Sequence, residues 1–156
     1  MTTASVRYIV DDVDAAVTFY VERLGFDLDM RPAPGFARLT RGGLRLMLNQ
    51  PDAGGAGQPT PDGRQPEPGG WNRIQIEVAD LESEVEALQA AGASFRGGIV
   101  TGRGGSQIVL DDPAGNAVEL FQPAHTCPTG SSRLGPKGAR PDETRAEPLR
   151  QRPAAQ

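Results

Sequence analysis

The amino-acid sequence predicts an α+β fold, with two tandem β-α-β-β-β modules whose curved mixed sheets surround a cavity. Three observations predict it. Val10-Asp11-Asp12-Val13-Asp14 through Val17 is echoed by Val78-Ala79-Asp80-Leu81-Glu82 through Val85 at a constant offset of 68 residues, and self-similarity at a fixed spacing marks a duplicated unit. Apolar residues alternate ahead of each echo, at Val6, Tyr8 and Val10 and at Ile74, Ile76 and Val78, which is the period of a strand packed on one face. Each run then leads through an aspartate into a helical spacing that stops at a glycine.

The elements follow in order. An aspartate ahead of each helix accepts from backbone N–H groups that the first turn leaves free. Val13, Val17, Tyr20 and Leu24 line one helix and Leu81, Val85 and Leu88 the other. Gly25 and Gly92 suit a left-handed C-terminal cap. Three shorter strands follow each helix, near 26–31, 36–41 and 44–49, then near 94–100, 106–111 and 116–121. Pro34-Gly35, Gly42-Gly43, Gly104-Gly105 and Asp112-Pro113-Ala114-Gly115-Asn116 separate them as turns. The organisation is therefore a first module over 1–50, a Pro/Gly-rich linker over 51–70, a second module over 71–122 and a polar tail over 123–156. The linker is long for a structureless loop and reads as a mobile connection or a flap over the cavity. The tail holds only Leu134 and Leu149 as large aliphatics and is expected to be disordered.

Charge divides along the chain. Residues 1–122 hold ten Arg against seventeen Asp or Glu, hence −7, and the tail carries +3. An acidic body argues against nucleic acid as a partner and favours, by long-range attraction, a cationic or polar-aromatic molecule. No stretch reaches the roughly 18–20 apolar residues of a membrane span, and no basic-then-apolar leader opens the sequence, so a cytoplasmic location is expected. Cys127 is the single cysteine, which excludes an internal disulfide and a cysteine-only zinc site. His125 is the single histidine and lies in the tail, leaving no serine with a histidine base. Gly102-Arg103-Gly104-Gly105 lacks the strand-then-helix context of a phosphate loop.

Tyr8-Ile9-Val10-Asp11-Asp12-Val13 through Tyr20, Leu24-Gly25-Phe26, Leu88-Gln89-Ala90-Ala91-Gly92 and, most specifically, Asp111-Asp112-Pro113-Ala114-Gly115-Asn116-Ala117-Val118-Glu119-Leu120-Phe121 resemble the vicinal oxygen chelate superfamily. That superfamily includes glyoxalase I, extradiol dioxygenases, fosfomycin-resistance enzymes and bleomycin-binding proteins. The resemblance spans about residues 5–122. It implies a divalent metal such as Zn, Ni, Mn or Fe, held by one residue from the first and one from the last strand of each module. Those positions fall here on Ser5, Met47, Arg73 and Glu119. Only Glu119 is a credible ligand, because a guanidinium stays protonated and hydroxyl or thioether groups suit such metals poorly. Gln75 takes the place of Arg73 if the register shifts by two. No cofactor is therefore expected, and a divalent metal is the alternative.

Alternation places Ser5, Arg7, Ile9, Arg45, Met47, Asn49, Arg73, Gln75, Glu77, Gln107, Val109, Ala117, Glu119 and Phe121 opposite the helix-packed side. Such a mixed face suits a small organic ligand. The candidate ligand contacts are Arg7, Arg45, Met47, Trp71, Arg73, Gln75, Gln107, Glu119 and Phe121. Arg73 and Glu119 read as an ion pair in the place of the metal, or as two charges on a solvated rim. Trp71 stacks on a planar ligand, or plugs the core edge or a subunit interface. The expected function is a metal-free protein that binds a small molecule, an antibiotic or natural product in the manner of bleomycin-binding proteins. The alternative is a metal-dependent lyase, isomerase or dioxygenase with a degenerate site around Glu119 as base. The resemblance also implies a homodimer, with modules paired within one chain or exchanged between two.

Overall fold

Asp12 and Asp80 start their helices in the same way. Each carboxylate accepts a first-turn N–H, from Ala15 at 3.0 Å and from Ser83 at 3.1 Å, as an N-cap does. In the computed structural model, which describes residues 4–124, these caps open α1 (Val13–Thr18) and α2 (Leu81–Ala90). His125, Cys127 and the tail expectation beyond Ala124 fall outside the described residues. Where the spacing predicts plain helix to Leu24, α1 runs into one π-helical turn over Phe19–Arg23, which takes in an extra residue. Tyr20 sits in that turn fully buried, edge to face with Phe19 and Phe26 at 5.2 and 5.4 Å. The stops match each other: Gly25 and Gly92 adopt φ of +66° and +84°, a region most side chains avoid.

The first sheet is formed by β1 (Ser5–Ile9), β2 (Asp27–Ala33), β3 (Phe36–Arg41) and β4 (Leu44–Asn49), in the order β1-β4-β3-β2 with β1 parallel to β4. The second is formed by β5 (Arg73–Glu77), β6 (Ser94–Phe95), β7 (Val100–Gly102), β8 (Gly105–Asp111) and β9 (Ala117–Pro123). Its order is β5-β9-β8-β6, with β7 also on β8 and β5 parallel to β9. The strand expected over 94–100 is thus two pieces on one partner. Gly97-Gly98 lies between them, where glycine has no side chain to pack and weakens a strand.

Each sheet buries one face and both buried faces enter a single core. Tyr8, Leu39, Leu46 and Leu48 from the first sheet join Ile76, Leu110, Val118 and Leu120 from the second, with Val13, Tyr20, Leu81 and Leu88 from the helical segments. Side chains of this size contribute about 1.5–3 kcal/mol each when fully buried. Polar bonds sew the seam between modules. The Tyr8 hydroxyl accepts from the Ile74 N–H and donates to the Ala117 carbonyl, both at 2.9 Å. Asn116 Nδ2 donates to the Ile9 carbonyl at 2.8 Å. The modules therefore meet through their apolar sides, and their polar faces turn away from the shared core. Among the described residues no helix is long and apolar enough to cross a membrane.

Candidate functional site

Burial of Ile74, Ile76, Val118 and Leu120 sends Arg73, Gln75, Glu77, Glu119 and Phe121 to the outer side of the second sheet. Gln75 stands directly across from Glu119 in the parallel pair β5–β9, and Arg73 across from Ala117. Gln75 Nε2 donates to Glu119 Oε1 at 2.7 Å, and Arg73 Nε reaches diagonally to Glu119 Oε2 at 2.6 Å. The ion pair forms, and the residue two positions on joins it. Arg73 Nη1 also donates to the Trp71 carbonyl at 3.3 Å. The Glu119 side chain is only 7% exposed and that of Arg73 33%. Burial alone would raise the Glu119 carboxyl, but the hydrogen bonds from Gln75 and Arg73 and the guanidinium charge outweigh it and hold Glu119 below the ordinary glutamate value. Gln107 and Phe121 are neighbours across β8 and β9, beside Glu77 on β5.

Trp71 is 71% exposed, so it does not plug the core edge of this chain. Its ring lies under the Arg96 guanidinium, 4.9 Å from centroid to Cζ. Arg96 further holds Asp111 at 2.6 Å and the carbonyls of Gly70 and Gly115 at 2.7 and 3.0 Å. This clamp ties the end of the linker to the β8–β9 turn. Sequence reading missed Arg96, since nothing local separates it from its neighbours.

The first sheet presents a second group. Arg7, Met47 and Arg38 lie side by side on β1, β4 and β3, with Ser5, Arg45 and Thr40 in the next row. Arg7 donates to Asn49 Oδ1 and, at 3.6 Å, to the Met47 sulfur. Asn49 is 3% exposed and anchored by Nδ2 to the Ala53 carbonyl at 3.3 Å. Arg38 pairs with Asp29. The nine candidate contacts thus divide between two faces: Arg7, Arg45 and Met47 on one, Arg73, Gln75, Gln107, Glu119 and Phe121 on the other, with Trp71 just ahead of β5. One chain does not bring the two groups together. A groove of about 570 Å³ lies elsewhere, between the start of α2 and the ends of β7–β9, and none of the nine lines it.

The positions of the expected metal ligands do not fit a metal. Both oxygens of Glu119 are engaged, and a guanidinium 2.6 Å away repels a cation at that point. Among the described residues no three His, Cys, Asp or Glu side chains gather where they could share an ion.

The most specific stretch of the sequence serves the scaffold. Asp112 accepts from the N–H groups of Ala114 and Asn116 at 2.9 and 2.8 Å, from Asn116 Nδ2 at 3.0 Å and from the Tyr20 hydroxyl at 3.0 Å. Burial pushes the Asp112 carboxyl up against the pull of those bonds, and burial beside Asp112 pushes the Tyr20 phenol up. Gly69 N–H donates to Asn116 Oδ1 at 2.8 Å. The turn after β8 therefore fastens both modules and the linker at one point.

A family model described as the glyoxalase/bleomycin resistance protein/dioxygenase superfamily matches residues 2–120. Among solved structures, lactoylglutathione lyase from Agrobacterium tumefaciens aligns at 21% identity and a TM-score of 0.61, covering 78% of this chain and 92% of that one. TioX from Micromonospora sp. ML1 aligns at 22% identity and 0.62, covering 80% and 100%. The fosfomycin resistance protein FosX from Listeria monocytogenes aligns at 14% identity and 0.61, covering 80% and 95%. At such identities these likenesses speak for the fold alone. No curated protein matches.

Proposed function

The chain belongs to the glyoxalase/bleomycin resistance protein/dioxygenase superfamily, and on that premise we propose that it is a metal-free binding protein for a small organic molecule of antibiotic or natural-product kind. One observation carries this reading: Glu119, the single metal-type ligand at the expected positions, gives both oxygens to Arg73 and Gln75. The fixed guanidinium then supplies the positive charge that a metal would bring, and a ligand oxygen is its natural partner. Phe121, Gln107 and the exposed Trp71 offer apolar area and directed hydrogen bonds beside it.

The polar faces turn outward from the shared core, so the proposed cavity closes between the first sheet of one copy and the second sheet of another. A homodimer is accordingly part of the proposal, with two equivalent sites related by the two-fold axis. A chain with one cysteine has no disulfide framework that demands an oxidising compartment, and the proposed location is the cytoplasm.

Elemental analysis of the purified protein, followed by titration with Zn, Ni, Mn and Fe(II) while thermal stability is recorded, tests the proposal. The expected result is no stoichiometric metal and no stabilisation. Stoichiometric uptake would instead favour the lyase, isomerase or dioxygenase reading, in which Arg73 and Gln75 must release Glu119.

A further inference from the structure

The two outer faces differ in charge where duplication would make them alike. Arg7 and Gln75 are equivalent by the 68-residue offset. Met47 lies directly across from Arg7, as Glu119 does from Gln75. The second sheet therefore has a carboxylate at its centre, and the first has a neutral thioether there. Around Met47 stand three guanidiniums on three adjacent strands, from Arg7, Arg38 and Arg45. Among the described residues, Arg38 is the one of the three that meets a carboxylate, Asp29. Arg7 is held by the neutral, buried Asn49. Among the described residues Arg45 has no ion-pair partner, and its row leads through Thr40 to Asp27 on β2, two strand spacings or about 10 Å away.

The three arginines are diagonal neighbours or two strands apart around Met47, within reach of one another as long side chains, and they sit on a body that is acidic overall. Asn49, two residues beyond Met47 on the same face of β4, fixes Arg7 in place, which is how a recognition group is preorganised. We propose that the first-sheet face binds the oxyanion of an acidic organic ligand, a carboxylate or a phosphoryl group. Arg45 and Arg7 supply the charge-assisted hydrogen bonds, and Met47 packs on the ligand's apolar part. This inference rests on the binding reading above and narrows it. The local field on this face selects the opposite sign of ligand from the one that net charge favours.

Naphthoate, naphthyl phosphate and the uncharged naphthamide serve as probes, titrated calorimetrically into the full chain at two salt concentrations. At least one anion is expected to bind about tenfold or more tightly than the amide, the worth of hydrogen bonds to a charged group, with the advantage shrinking at high salt. Arg45→Gln and Arg7→Gln are each expected to bring that anion down toward the amide. Arg64→Gln, in the linker and paired with Asp62, is expected to leave it unchanged. Preference between the two anions identifies the head group. Equal binding of all three probes overturns the charge inference while leaving the metal-free binding reading intact. Stoichiometric zinc with no probe bound removes both. Variants that alter subunit association by sedimentation but keep the anion preference assign these arginines to the contact between copies, and overturn the proposal as well.

Discussion

Glu119 and Met47 occupy equivalent places in the two halves, and the chemistry around them has diverged in opposite directions. On the second sheet a buried carboxylate is closed off by Arg73 and Gln75, so its charge is spent inside the protein. On the first sheet no carboxylate stands at the centre, and Arg7 and Arg45 point charge outward without an acidic partner among the described residues. The buried sides of the same strands show no such divergence. Both halves keep the Asp cap, the apolar helix face and the left-handed glycine. A duplicated scaffold constrains the residues that pack, while the outward residues remain free to specialise.

The comparison breaks most readily at the β8–β9 turn, which the first module replaces with the short Gly42-Gly43 turn. Asp112→Ala removes an acceptor of four hydrogen bonds and is expected to cost about 3 kcal/mol or more, since buried donors lose their partner. Urea unfolding measures it, and a loss below 1 kcal/mol (on the scale of surface substitutions) would deny the turn its fastening role.

Arg73→Met leaves Glu119 buried with Gln75 alone. The expected cost is about 1–2 kcal/mol, discounted because Arg73 is itself partly exposed. Its signature is in the pH profile. Glu119 has a lowered value in the folded chain, so its contribution to stability is present above the unfolded glutamate range. That contribution is lost as pH falls through the folded value. Arg73→Met should flatten this acid-side loss, and an unchanged profile would count against the ion pair.

Met47→Glu copies the second-sheet centre into the first, between Arg7 and Arg38. It is expected to raise stability by about 0.5–1 kcal/mol and to abolish anion preference. Smallest of all, Arg45→Gln should leave stability within about 0.5 kcal/mol, because Arg45 is exposed and has no acidic partner among the described residues. A large loss there would mean that the charge serves the fold.

Much of this was legible in the residues. Alternation identified the members of the two polar faces on β1, β4, β5, β8 and β9 but not Arg38 and Thr40 on β3, and the spacing around Arg73 and Glu119 anticipated their pairing along with Gln75 as a neighbouring choice. Asp12, Asp80, Gly25 and Gly92 announced their elements because capping is local: the carboxylate and the glycine act on backbone within a few residues. Arg38 and Arg96 were passed over. Their importance comes from what lies across the sheet or beyond the linker, at Asp29 and at Trp71, Gly70 and Gly115.

Strand, helix and stop, and the division of each strand into an apolar and a polar side, followed from sequence because they depend on periodicity and on short-range hydrogen bonding. Periodicity does not say which apolar side meets which. Two amphipathic modules can bury their helix sides together or stand edge to edge, and both arrangements satisfy the same pattern. The choice rests on contacts far apart in the chain: the Tyr8 hydroxyl between Ile74 and Ala117, Tyr20 on Asp112, and Asn116 on Ile9. Those contacts turn the polar faces outward and separate the arginines around Met47 from the closed carboxylate of Glu119.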